Sequence, residues 1–425
     1  MNKRLIVLFV ALLLLSMIAC TQTAPGELLK SDKERIASPD VNATEQALLV
    51  EGNTAFAFEL YQALREQNGN LFYSPHSISL ALAMTYAGAR GETAQQMADT
   101  LHFLLDQDKL HAAFNWLDAE LASRGDDAQG KDGEGFRLNV INSIWGQQDY
   151  EFLSAFLDVL AENYGAGLRI LDFINETEES RLAINQWVSY QTEGRIRDLL
   201  PPGFINELTR LVLTNAIYFN AAWEYPFDED MTSDGPFYLL GGGQVTVPMM
   251  EQAEFFGYSE GEGYQAVELP YDGRELSMVI LLPGSGNFSD FEEALHGEQV
   301  YDIVSDLQLT GVALTMPRFE FESVFSLKDT LSEMGMPDAF VYPIADFSGM
   351  TGGLELFIWG TVHKAFVAVD TAGTEASAAT AVGGEGEGEP TAELEVTIDR
   401  PFIFLIRDIE TGAILFVGRV LNPAA

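Results

Sequence analysis

The chain has 425 residues, 47% of them hydrophobic, and a formal net charge of −41. That is enough apolar material for a substantial core, in one large domain or two medium ones. The charge argues against nucleic acid, heparin-like polymers and anionic lipid headgroups as partners, and it favours solubility.

The N-terminus reads as a processing signal. Lys3 and Arg4 precede about fourteen apolar residues, Leu5 to Ile18, too few to span a bilayer comfortably. The stretch ends Met17-Ile18-Ala19-Cys20, and Cys20 is the only cysteine. A small residue then cysteine at this place resembles a bacterial lipoprotein cleavage box. Residues 1–19 would then be a signal peptide and Cys20 the lipidated first residue. Met17 stands where leucine is usual, so cleavage near Ala24 with free secretion is the competing expectation. Either route leads out of the cytoplasm, to a lipid anchor on the cell envelope or to the extracellular space. A lone cysteine allows no disulfide within the chain. Residues 20–44 are polar, with Pro25, Gly26 and Pro39, and read as a flexible tether to a body at 45–425.

The body begins with an amphipathic helix over 45–67, its apolar residues at helical spacing. Asn70–Tyr73 reads as a short buried strand, and Ser74-Pro75 as a cap opening the apolar helix Ile78–Ala89. Helices at about Glu92–Leu104 and Lys109–Ala122 lead into an acidic, Gly-rich loop, Ser123–Gly135. Leu138–Trp145 alternates as a strand, and Phe152–Tyr164 and Ser180–Thr192 read as helices. Leu211–Phe219 is continuously apolar, as expected in the middle of a large sheet. The remainder is mainly strand: Phe255–Tyr258, Gln265–Pro270, Ser277–Leu282, Val312–Phe321, Leu354–Gly360, Ala365–Val369, Glu393–Ile398, Phe402–Arg407 and Ala413–Val420. Helices at about 288–306 and 326–335 interrupt it. Helices first and strands later, without β-α alternation, indicate an α+β fold.

The run from Val369 to Val382, followed by a Gly/Glu tract, carries the strongest functional signal. From Thr374 every second residue is small or apolar: Thr374, Ala376, Ala378, Thr380, Val382, Gly384, Gly386, Gly388. The charges Glu375, Glu385, Glu387 and Glu389 all fall in the interleaved set. One face of such a strand fits a core while the other stays wet. Yet the tract also has the composition of an exposed loop, so the pattern suggests a switch. An Ala-rich helix followed by a linker fits the same residues.

Other motifs carry less. Gly257-Tyr-Ser259-Glu-Gly261 matches the G-x-S-x-G pattern, which needs a strand, a sharp turn and a helix. A second strand follows here, so a simple turn is expected and no serine hydrolase. Five scattered histidines and one cysteine predict no metal site. Arg124-Gly-Asp126 falls in a loop and matches an adhesion tripeptide by chance.

Ordered stretches along the body resemble the serpins. They include Asn70-Leu-Phe-Tyr-Ser-Pro-His-Ser-Ile-Ser, Met84-Thr-Tyr-Ala-Gly-Ala-Arg-Gly-Glu-Thr-Ala, Ile184-Asn-Gln-Trp-Val and Thr192-Glu-Gly-Arg-Ile-Arg-Asp-Leu-Leu-Pro. Leu213-Thr-Asn-Ala-Ile-Tyr-Phe-Asn-Ala-Ala-Trp223, Leu314-Thr-Met-Pro-Arg-Phe, Ala345-Asp-Phe-Ser-Gly-Met, Val362-His-Lys-Ala, Gly373-Thr-Glu-Ala and Arg400-Pro-Phe-Ile-Phe complete the set. The resemblance implies a metastable α+β serpin fold, with three β-sheets, eight to nine helices and an exposed reactive loop at about 371–395. In the family a protease cleaves the loop and forms an acyl-enzyme. The hinge side then inserts into the main sheet before deacylation, consuming the inhibitor. The resemblance thus implies an irreversible suicide inhibitor of serine endopeptidases, with cysteine proteases as further targets. It would be a monomer that is not an enzyme, needs no cofactor and touches a membrane only through an N-terminal lipid. A non-inhibitory binding or carrier protein is the alternative, and such members tend to carry bulky or charged hinge residues.

Residue by residue, the resemblance assigns the hinge to Gly373, Thr374, Glu375, Ala376, Ser377, Ala378, Ala379 and Thr380. It assigns the hydrogen-bonded shutter to Ser74, Ser77, Asn215 and His363, and the tryptophan at the first point of insertion to Trp223. Arg318 matches a basic residue whose usual glutamate partner is Thr371 here, so that ion pair is lost and the gate is weaker or secured differently. Counting from Gly373 puts the scissile bond at Glu387–Gly388, with Glu385–Gly386 next. Either implies a Glu-specific protease, whereas use of Ala381 or Val382 implies an elastase-like one.

Overall fold

A computed structural model describes residues 26–125, 128, 137–374 and 393–425. Cys20, Glu375 to Thr380 and both candidate scissile bonds lie outside the described residues. In chain order the first half contains β1 (Glu27–Leu29), α1 (Ala43–Leu64), β2 (Leu71–Tyr73), α2 (Pro75–Tyr86), α3 (Gly91–Thr100), α4 (Gln107–Ala122), β3 (Arg137–Gln147), α5 (Ser154–Tyr164), β4 (Leu168–Leu171), α6 (Thr177–Gln191) and β5 (Leu211–Ala222). Then come β6 (Ser233–Tyr238), β7 (Gln244–Gly261), β8 (Tyr264–Pro270), β9 (Leu276–Pro283), α7 (Phe288–Ala294), α8 (Gly297–Ser305), β10 (Gln308–Pro317), β11 (Phe319–Ser326), α9 (Leu327–Met334) and the single turn α10 (Ser348–Thr351). The chain closes with β12 (Ile358–Val369), β13 (Gly373–Thr374), β14 (Leu394–Thr397), β15 (Phe402–Asp408) and β16 (Ile414–Val420).

Local chemistry explains the ends. Asn42 and Glu45 form a reciprocal capping box on α1. Ser74 caps α2 with Pro75 in its first turn, as the sequence predicts. The strands form a seven-stranded sheet ordered β1-β4-β3-β5-β13-β12-β11 and a nine-stranded sheet running β14-β10-β7-β8-β9-β15-β16-β2, with β6 on β7. The α+β fold is as expected, but the described strands form two sheets where the resemblance implied three. The other two expected sheets are one, because the 18 residues of β7 pair with β6 over 244–249, with β10 over 249–258 and with β8 over 257–261. Ten α-helices occur among the described residues. The single helix expected at 288–306 is two, since His296 turns extended and caps α8 with its own side chain.

Three other expectations are corrected. The strand expected over Val312–Phe321 is β10 and β11, which part at Arg318 and enter different sheets. The strands expected at Leu354–Gly360 and Ala365–Val369 are one, β12. From residue 26 onward the tether is pinned rather than flexible. Its Glu27–Leu29 pairs with β4 at the sheet edge. Lys33 meets Asp158 and Glu162, and Arg35 meets Asp118 and Asn115. A polar composition hid those ion pairs, whose partners are about a hundred residues away.

Two motifs are also settled. Gly257–Gly261 is not a turn but the paired end of β7, and buried Ser259 donates its hydroxyl to the Ile303 carbonyl. It has no elbow geometry. Arg124 is not displayed; its side chain is 6% exposed and paired with buried Asp408.

Candidate functional site

The centre of the seven-stranded sheet has an unfinished seam. β5 and β12 pair directly and in parallel from Leu211–Ile358 to Tyr218–Phe366. Above that level they diverge, and β13 sits between them, antiparallel to both. Thr374 lies opposite Ala221 on one side and Val369 on the other. Its side chain is 1% exposed and its hydroxyl hydrogen-bonds the buried Tyr271 phenol at 2.7 Å. Burial keeps that phenol protonated, raising it well above its ordinary value. Thr374 therefore faces inward, as the alternation from Thr374 predicts.

The turn from β12 into β13 is tightly held. Asp370 folds back, its carboxylate accepting from the Ala372 and Gly373 amides at 2.7 and 3.2 Å. The Trp223 amide donates to the Ala372 carbonyl, its indole to the Asp370 carbonyl at 3.0 Å, and the Phe227 amide to the Thr371 carbonyl at 2.8 Å. Trp223 stacks on Tyr271 with ring centroids 4.7 Å apart. It therefore lies under the turn. Gly373 is required by close approach: a Cβ there would stand 2.1 Å from the Ala221 carbonyl oxygen.

Arg318 keeps a carboxylate partner, from an unexpected place. Its Nη2 pairs with Glu229 Oε2 at 2.5 Å, and Glu229 Oε1 accepts from the Thr371 hydroxyl at 2.8 Å. Glu229 lies in a short 3-10 turn after β5. It supplies from another segment the carboxylate that Thr371 lacks.

Lower down the seam, one row of polar side chains crosses three strands. Asn142 of β3 is in register with Asn215 of β5, and Asn215 with His363 of β12. The Ser74 amide donates to His363 Nε2 at 3.2 Å, so Nε2 is the acceptor and Nδ1 carries the proton toward Asn215 Oδ1. Asn215 Nδ2 donates to Ser77 Oγ at 2.7 Å and to Asn142 Oδ1 at 2.5 Å. The Ser77 amide donates to Ser74 Oγ, and Asn142 Nδ2 to the Ser77 carbonyl. Burial lowers His363 to about 3, so the ring is neutral at physiological pH. The structure thus brings Ser74, Ser77, Asn215 and His363 into one hydrogen-bonded group.

Sequence reasoning missed Asn142, Glu229 and Tyr271. Asn142 had a signal: it is an amide on the strand face that also carries Leu138 and Ile144. Glu229 had none, because its partners lie 89 and 142 residues away.

A family model described as Serpin (serine protease inhibitor) matches residues 51–423. An uncharacterized serpin-like protein of Thermococcus kodakarensis is 40% identical over 404 residues, covering 94% of this chain and 89% of that protein. The leukocyte elastase inhibitor of Homo sapiens is 41% identical over 391 residues, covering 88% of this chain and 99% of that one. Among solved structures, the thermophilic serpin tengpin in its native state matches with a TM-score of 0.80 at 28% identity, over 93% of this chain and 97% of that chain.

Proposed function

Because the chain belongs to the serpin family, whose members related to it include protease inhibitors, we propose that it is an irreversible suicide inhibitor of serine endopeptidases. The observation that carries this reading is the seated first rung: Gly373–Thr374 already lies between β5 and β12, antiparallel to both.

In this reading the target's serine hydroxyl attacks the Glu387 carbonyl, Gly388 leaves as a free amine, and an ester joins the two proteins. The hinge then zips down the seam. The register of Thr374 carries Ala376 to Phe219 and Val367, Ala378 to Ile217 and Ala365, and Thr380 to Asn215 and His363. Thr380 would thus replace the His363–Asn215 hydrogen bond, with a hydroxyl able to donate to one partner and accept from the other. About ten residues fit before β5 ends at Leu211, so the scissile bond lies beyond the inserted part. Two antiparallel ladders replace one shorter parallel ladder. A net gain of about a dozen hydrogen bonds at ~1 kcal/mol each gives a driving force on the order of 10 kcal/mol. Ordering the loop offsets part of it.

Glu387 or Glu385 before the cut suits a Glu-specific protease. Cleavage after Ala381 or Val382 suits an elastase-like one, and the name of the human relative supports keeping that class in view. Cysteine proteases are a further class to assay. The protein would act as a monomer outside the cytoplasm, anchored through a lipid on Cys20 or released. Mixing the mature protein with a panel of serine proteases tests the proposal. A complex that survives boiling in detergent, with mass spectrometry of the released peptide identifying the bond, is the expected result. Cleavage by every protease without such a complex overturns it.

A further inference from the structure

The seated turn is contacted by a carboxylate that no motif marks. Glu229 belongs to the chain leaving β5, Thr371 to the chain leaving β12, and Arg318 to the start of β11. These are the two sides of the seam that β13 enters, and Glu229 ties them together over its mouth. These two contacts are charge-assisted, and the pair with Arg318 is partly exposed, so each is worth about 1 kcal/mol or less. The neighbouring amides of Trp223 and Phe227 bond to carbonyls of the same turn.

We propose that Glu229 is a positioning residue for trapping: by holding Arg318 and Thr371 it keeps the Asp370–Gly373 turn seated, so that Thr374 is in register before the loop is cut. This rests on the inhibitory reading above. After acylation, insertion competes with deacylation. A hinge that must first find its seat loses part of that race and is released as cleaved substrate. Among the described residues Glu229 holds Arg318 and Thr371, which belong to the seat and not to the segment that is cut, so the rate of loop cleavage should not change with it.

Two measurements on the Glu229→Ala variant test this. Hydrogen exchange, which needs no protease, reads the seat directly: the Trp223 and Phe227 amides should exchange about tenfold faster, while amides in the middle of β9 stay unchanged. Titration against a protease that the unmodified protein traps reads the consequence. The moles of inhibitor consumed per mole of protease should rise about three- to tenfold at an unchanged cleavage rate. Adding Thr371→Glu, which offers Arg318 a carboxylate from the turn itself, should restore both readings. Unchanged exchange, unchanged stoichiometry or failure of that rescue overturns the proposal. If exchange responds and is rescued while the unmodified protein traps no protease, the inhibitory reading fails and the seat stands.

Discussion

Replacing Ala376 by glutamate, with Ser377→Glu as its control, separates strand insertion from any account in which the loop is merely cut. In the proposed insertion, continuing the Thr374 register would bring Ala376 between Phe219 and Val367, both buried. Holding a carboxyl protonated at pH 7 costs about 4 kcal/mol against its ordinary pKa near 4.3. Burying the neutral group without a partner adds about 1–3 kcal/mol. At that point only one or two new rungs, at ~1 kcal/mol each, have formed to offset it. The net obstacle of about 4 kcal/mol slows zipping by roughly a thousandfold. Deacylation then wins, and the variant behaves as a substrate. Ser377 falls on the opposite face, level with half-buried Phe366 and two residues from the natural Glu375. A glutamate there should leave trapping intact. The assay is the fraction of protease in detergent-stable complex, together with the stoichiometry. Full trapping by the Ala376→Glu variant, or equal loss in both variants, would refute the register and with it the mechanism.

Nicking the loop with a protease that is not trapped should raise the melting temperature by about 10 °C. That follows from ~10 kcal/mol divided by an unfolding entropy of roughly 2.1 cal/mol/K per residue over about 400 residues. An unchanged midpoint in scanning calorimetry would remove the driving force. The His363 ring takes up a proton near pH 6.5 when unfolded but only near pH 3 when folded. The unfolded state therefore binds more protons between those values, and stability falls as pH drops through that window, by about 2 kcal/mol from pH 6.5 to 5. His76 and His111, lowered to about 4 by burial, act with the same sign. Urea midpoints at pH 7 and 5 should show a smaller drop in His363→Gln than in the unmodified protein; an equal drop counts against the assignment. Gly373→Ala drives a methyl into the Ala221 carbonyl. It should unseat the turn, seen as faster exchange of the Trp223 amide and a higher stoichiometry of inhibition, and normal values of both would show that the close approach yields.

The fold was legible wherever one apolar period persisted: β5, α2 and the C-terminal strands stand where their patterns put them. It was misread where a strand stays apolar while changing sheets, as at Arg318, or where long-range ion pairs rather than burial hold a segment, as at Lys33 and Arg35. The site followed the same division. His363, Asn215, Ser74 and Ser77 were found through local motifs. Asn142, Tyr271 and Glu229 act through neighbours created only by folding, and no spacing in the chain encodes those meetings.

In the proposed mechanism the parity of the insertion is decided at Gly373. A slip of one residue would turn Glu375 toward the core and Ala376 toward water, and an extended strand has no way to correct that midway. Only a residue without a side chain fits beneath Ala221, and its neighbours in sequence are alanine and threonine. In the proposed mechanism the molecule would thus begin its largest rearrangement with odd and even already told apart, before any protease arrives.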